Sequence, residues 1–154
     1  MTRPAIVAAG ASDIDRLAEM QAMCFHESWG AASIAKTLSL PGTFALFIKD
    51  TTPVGRLSVG FALLQVASDQ GDILTLGVIP GLRRRGYARL LLDGATARAA
   101  ELGAKTLFLE VAEDNAAGLG LYLAAGFETI GRRQGYYRDP LGRKVAAITM
   151  RRII

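Results

Sequence analysis

The 154-residue chain predicts an α/β (α+β) fold: a mixed, mostly antiparallel sheet of about six to seven strands with helices on both faces. Three observations carry that prediction. Short apolar runs bounded by turn residues come in neighbouring pairs early in the chain, which suits antiparallel hairpins. Later runs alternate with amphipathic segments of helical period, which adds crossovers. Hydrophobic residues make up 51% of the chain against 21% charged, a globular balance at a length that supports a substantial core. No repeat, low-complexity tract or linker is visible, so residues 1–154 are expected to form one domain.

The elements follow in order. Ile6-Val7-Ala8 reads as a short first strand. Ser12 with Asp15 resembles a capping box, and Ile14, Leu17, Met20 and Cys24 then recur at helical spacing. Residues 32–40 read as a second helix stopped by Pro41, and residues 43–48 as a strand. The Pro53-containing turn leads to strands at 57–67 and 73–79, separated by a turn at Ser68-Asp69-Gln70-Gly71. A helix after Gly86 carries Leu91, Leu92, Ala95 and Leu102 and ends at Gly103. Residues 106–111 are dense enough in apolar side chains for a central strand, 116–125 form a helix closed by Gly126, and 127–130 and 145–150 complete the sheet.

Composition excludes several classes. One cysteine, Cys24, rules out an internal disulfide, and one histidine, His26, rules out a two-histidine metal motif, so no metal is expected. Cys24 sits among Met20, Met23 and Phe25 and reads as a core thiol rather than a nucleophile. No apolar run approaches the roughly 18 residues that span a bilayer. The mildly apolar start is broken by Ser12-Asp13 with no cleavage pattern behind it, so a cytoplasmic protein without a membrane partner is expected. A formal charge of +4 suits polyanionic ligands.

Chemistry concentrates in three places. Arg83-Arg84-Arg85-Gly86-Tyr87-Ala88 joins an apolar strand to a helix start. The first N–H groups of a helix lack internal partners and carry partial positive charge, so such a loop can hold a phosphate. Read by itself, it is equally a solvated arginine run or an RNA-facing patch. Glu110 is the odd residue in Leu107-Phe108-Leu109-Glu110-Val111, where alternation sets it opposite the leucines. Burial would raise such a carboxylate toward the range of a general base; an acid at a wet strand end, or half of an ion pair with an arginine, is the structural alternative. Asn115 and Tyr122 share one face of a helix, two turns apart; Asn115 alone reads as an N-cap and Tyr122 as a half-buried core residue. Gly118 and Gly120 between them, and Gly77 in the 73–79 strand, suggest close approach of something to the backbone.

Together these residues resemble the GNAT N-acetyltransferases. Arg83-x-x-Gly86-x-Ala88 matches that family's pyrophosphate loop, Gln/Arg-x-x-Gly-x-Gly/Ala. Leu109-Glu110-Val111, Asn115 through Leu121-Tyr122, Ala125-Gly126-Phe127, Gly135-Tyr136-Tyr137 and the Gly142-Arg143 to Met150 segment fit the same pattern, most like the RimI-type enzymes that acetylate the N-terminal alanine of a small-subunit ribosomal protein. The resemblance implies acetyl-CoA as cosubstrate and a protein or peptide N-terminus as acceptor. It implies Glu110 as general base and Tyr122 as general acid. It implies contacts to acetyl-CoA from the main chain of Leu76, Gly77 and Val78, from Arg83, Arg84, Arg85, Gly86, Tyr87, Ala88 and Arg89 at the pyrophosphate, and from Asn115. Tyr136 and Tyr137, after the sixth strand, would wall a peptide groove, with Glu27 and Asp139 as acidic groups at its mouth. The chain departs from the pattern at His26 and Ser28, where prolines are frequent, at Gly118 for alanine, and at Ala146 for aspartate. A lysine or small-molecule acceptor, and a non-catalytic acetyl-CoA sensor, are the alternatives. Nucleic acid is not expected as a partner, since no aromatic platform alternates with the basic residues.

Overall fold

The protein is described here by a computed structural model covering residues 3–154; positions 1 and 2 of the expected 1–154 domain lie outside the described residues. Its strands are β1 (Ala5–Ala9), β2 (Thr43–Thr52), β3 (Gly55–Ala67), β4 (Gln70–Val78), β5 (Thr106–Ala112), β6 (Glu128–Arg138) and β7 (Lys144–Ile153). They form one seven-stranded sheet in the order β1-β2-β3-β4-β5-β7-β6. Every neighbouring pair is antiparallel except β4 with β5. The mixed, mostly antiparallel sheet is the one expected from the sequence.

Four helices cover it: α1 (Ile14–Cys24), α2 (Gly30–Leu38), α3 (Tyr87–Glu101) and α4 (Ala116–Ala124). Alternation along β2 and β3 explains the two cores. Ala45, Phe47, Phe61 and Leu63 point toward α1 and α2, where Leu17, Met20 and Ile34 meet them. Leu46, Ile48, Ala62 and Leu64 point the other way and pack with Leu91, Leu92, Ala95 and Ala99 of α3 and Tyr122 of α4. Both faces are thus closed, as the unbroken apolar runs require. The parallel β4–β5 pair needs a crossover, and α3 supplies it.

Several boundaries differ from expectation: α2 runs over Gly30–Leu38 and ends before residue 40, and β2 runs on to Thr52. Ser12 does not cap α1: a short 3-10 turn (Ala11–Asp13) precedes it, and the Asp13 carboxylate accepts the Gly10 N–H at 2.8 Å. Gln70 and Gly71 belong to β4 rather than to a turn, so only Ser68 and Asp69 separate Ala67 from its partner Gln70. β6 runs on to Arg138, which places Tyr136 and Tyr137 inside the sixth strand instead of after it. Its polar, bulged sequence lacks the apolar alternation that marks a strand, because as an edge strand it need not bury both faces.

Gly42 is required by geometry. Its φ is +78°, and a Cβ there would stand 2.0 Å from the Val66 carbonyl oxygen, while its own carbonyl accepts the Val66 N–H at 2.8 Å. Gly42→Ala is expected to destabilise the fold by about 2–4 kcal/mol, from left-handed strain plus displacement of β3. Urea unfolding against the wild type measures it; an unchanged midpoint would contradict the assignment.

Candidate active site

The site begins where two strands part. β4 and β5 pair over four residues, Gln70↔Thr106 to Ile73↔Leu109, and then separate. The separation coincides with a bulge: Leu63 pairs with Thr75 and Leu64 with Ile73, leaving Leu74 as an extra residue in β4. Such an insertion bends and twists its strand. Beyond it, β4 keeps β3 on one side and has no strand on the other, so alternate backbone groups from Leu76 to Val78 face the opening. A cleft of about 850 Å³ fills the parting.

That cleft passes through the sheet. From the α1 side it is lined by Gln21, Cys24 and Trp29, and from the α4 side by Asn115 and Tyr122. Leu107, Leu109 and Val111 of β5 are packed toward α3, so Glu110 faces the α1 side. Tyr136 and Tyr137 of β6 also line it. The fold therefore brings Glu110, Tyr122, Leu76, Asn115 and both hairpin tyrosines into one space, with Glu110 and Tyr122 entering from opposite faces.

Gly86 starts α3 at φ +82°, and no side chain caps the helix. A Cβ there would meet nothing within 4 Å, so conformation, not crowding, demands glycine. Arg84 is also left-handed, at φ +65°. The N–H groups of the first helical turn have no partner within the helix. The arginines do not act alike. Arg83 donates from Nε to the Val78 carbonyl at 3.0 Å, tying the loop to the end of β4. Arg84 and Arg85 are exposed. Arg89 pairs with Asp93 at 3.1 Å. Tyr87 is buried in the core with its hydroxyl donating to Asp50, so only its main chain can reach a phosphate.

Glu110 is half of an ion pair, the alternative that the sequence left open. Arg133 donates from Nη2 to Oε1 at 3.0 Å, whereas Oε2 is buried with no hydrogen-bond partner among the described residues. The Arg133 guanidinium also lies 4.3 Å from the Tyr136 ring centroid. Tyr136 meets Tyr137 edge-on at 5.0 Å. Tyr122 is buried against Phe127, edge-on at 5.6 Å. Burial, reinforced by Tyr137 nearby, pushes its phenol up to about 12. Tyr137 is likewise pushed up to about 12, by burial first and by the charge of Glu110 next. These mutual influences place Glu110, Tyr137 and Tyr122 in electrostatic contact.

Several signals were structural. Asn115 caps α4 through Oδ1, which accepts the Gly118 N–H at 2.9 Å. A Cβ on Gly118 would stand 2.7 Å from Asn115 Nδ2, so that glycine makes room for the cap, and Gly120 faces open space. Gly77 makes room for α1: a Cβ there would lie 3.0 Å from both Cys24 Sγ and Phe61 Cε1. Cys24, remote in sequence from every candidate cofactor residue, is therefore adjacent to them in space. Its thiol donates to the Val78 carbonyl at 3.3 Å, and burial raises its pKa, which suppresses nucleophilicity. Asp139 lines the cleft, as Glu27 does, and its carboxylate accepts hydrogen bonds from the Leu141 and Arg143 N–H groups and the Arg143 guanidinium, closing the β6–β7 turn. Glu27 accepts the Arg138 N–H at 3.1 Å, joining the α1–α2 loop to the hairpin across the cleft. Among the described residues no cluster of three or more His, Cys, Asp or Glu is placed to hold a metal. No helix there is long and apolar enough to cross a membrane.

The cleft that splits the sheet takes Glu110 from one face and Tyr122 from the other, and the uncapped start of α3 lies outside its lining. Residues 14–127 match the model of the acetyltransferase (GNAT) family, and the chain belongs to that family. It is 34% identical over 92 residues to the ribosomal protein bS18-alanine N-acetyltransferase of Haemophilus influenzae, covering 60% of this chain and 62% of that one. The match thus spans less than two thirds of that relative. A second relative of the same name, from Haemophilus ducreyi, is 30% identical over 138 residues, 90% of this chain and 92% of that one. The crystal structure of the ribosomal-protein-S18-alanine N-acetyltransferase from Escherichia coli superimposes with a TM-score of 0.86 at 25% identity, over 99% of this chain and 94% of that one.

The raised phenols give a pH prediction. A phenol held above its unfolded value of 10.0 favours the folded state fully below pH 10, and that contribution is lost as pH climbs toward about 12. Ultraviolet titration should show Tyr122 and Tyr137 ionising last, with Tyr122→Phe removing one late-titrating phenol. Loss of an early-titrating phenol instead would place Tyr122 in solvent.

Proposed function

We propose that the protein transfers an acetyl group from acetyl-CoA to the α-amine of a peptide N-terminus, with alanine or another small residue first, and that a ribosomal protein of the bS18 kind is its acceptor. The observation that carries this reading is the cleft through the sheet, with Glu110 entering from one face and Tyr122 from the other. The residues suit acetyl-CoA: a left-handed glycine opens the helix start to a pyrophosphate, and the parted β4 offers free backbone groups. The names of the relatives support the choice of acceptor.

Acetyl-CoA supplies an activated thioester. The N–H groups of residues 86–89, with Arg84 and Arg85, hold its pyrophosphate; Arg83 and Tyr87 shape the loop, and the small Ala88 leaves room. The Leu76–Val78 backbone aligns the acetyl arm and offers an N–H to the thioester oxygen. Asn115 fixes the α4 terminus beside it. Glu110 accepts the proton that the acceptor ammonium must lose, directly or through a water. At pH 7 that loss costs about 1 kcal/mol for an α-amine and about 4.6 kcal/mol for lysine, which favours the N-terminus by about 3.5 kcal/mol. Tyr122 donates its hydroxyl hydrogen to the departing sulfur. With the phenol near 12 and a thiol near 8.5, full transfer is uphill by about 5 kcal/mol, so the hydrogen bond itself supplies most of the stabilisation.

Competing peptides test the reading: one with a free N-terminal alanine and no lysine, the other N-terminally blocked with one lysine. The free peptide should be acetylated faster; the opposite result would assign a lysine acceptor. Glu110→Gln should lower kcat by about 10²–10⁴-fold at pH 7 with acetyl-CoA affinity retained, and the deficit should shrink as pH rises. Full activity at pH 7 would reduce Glu110 to an ion-pair partner.

A further inference from the structure

The candidate base lines the cleft with its carboxylate already engaged. Glu110 Oε2 is buried beyond solvent contact, and Oε1 carries the Arg133 guanidinium at 3.0 Å. A cationic acceptor approaching this carboxylate thus meets a cation already there. Arg133 is poised to leave. Its side chain is 58% exposed, and its other contact is the Tyr136 ring. It also sits at a break in register: Arg133 pairs with Ala147 and Tyr137 with Val145, so Gln134, Gly135 and Tyr136 stand against Ala146 alone. Bulged edge strands re-aim side chains at little cost to the sheet.

We propose that Arg133 is a substrate-displaced cation: in the free enzyme it occupies the carboxylate position that the acceptor's α-ammonium takes, and acceptor binding exchanges one for the other. This rests on the reading of Glu110 as the residue that receives the acceptor. The displaced guanidinium keeps the Tyr136 face as its alternative seat, so exchange needs no uncompensated charge. Exposed ion pairs of this kind are weak, which makes the exchange affordable to a peptide. The pair also holds Glu110 oriented until the acceptor arrives.

The test uses steady-state kinetics with a lysine-free, N-terminal-alanine peptide at saturating acetyl-CoA. Arg133→Gln should lower the peptide KM by about three- to tenfold, because the competing cation is gone. Arg133→Lys, which restores the charge, should bring KM back toward wild type. Ethylguanidinium should compete with the peptide in Arg133→Gln and do so far less in the wild type, where the seat is filled. A raised KM, or a lower kcat at unchanged KM, in a folded Arg133→Gln protein overturns the exchange and makes Arg133 a peptide-gripping or positioning residue. Glu110→Gln separates the two readings. If it is slow while Arg133→Gln fails to lower KM, only the exchange is overturned; if it turns over at the wild-type rate, both fall.

Discussion

The early end of the β4–β5 ladder is the constraint on which the site depends. Had pairing continued past Ile73↔Leu109, the backbone groups of Leu76 to Val78 would be spent on β5 and no passage would cross the sheet. Unpaired strand backbone is costly when buried, so the parting must be stabilised elsewhere. The Leu74 bulge bends β4 away, and the Val78 carbonyl is satisfied by Cys24 from α1 and by Arg83 from the loop. Gly77 lets α1 come close enough for the first of these contacts. One glycine, one bulge and two hydrogen bonds thus hold open a gap that the ladder would otherwise close.

The same gap divides the chemistry between the faces. Dipole and arginine charge gather where α3 begins, on the side of the larger core, while Glu110 and the hairpin tyrosines stand on the side of α1 and α2. On the proposed function, a polyanion and a cationic amine would be received from opposite directions, and their charges would not compete for one surface. Tyr122 crosses from the larger core into the cleft, and burial raises its phenol further above the physiological range. The hydrogen bond between Glu27 and Arg138 ties together two segments that line the cleft.

Much of this was legible in the chain. Periodicity located seven strands and four helices, because both cores demand apolar residues at fixed spacing. The motif Arg83-x-x-Gly86-x-Ala88 marked a helix start, and α3 begins there, but the left-handed φ of +82° at Gly86 came only with the structure. Glycine was less readable. Gly77, Gly118 and Gly120 look alike in sequence, yet one admits α1, one admits a capping side chain and one faces open space. A missing Cβ says that room is needed without saying what fills it.

The sequence by itself determined which segments become strands and helices, which faces they bury, and that Glu110 stands out from an apolar strand. These are local properties, fixed by side-chain period, turn residues and caps. The tertiary structure decided what Glu110 touches. Its partner Arg133 lies 23 residues away, on a strand reached only across β7, and their meeting depends on the β5-β7-β6 order and on bulges that reset the register of β6. A slip of one residue would turn Arg133 to the other face. Contacts of that kind are set by register, which the pairing of whole strands determines.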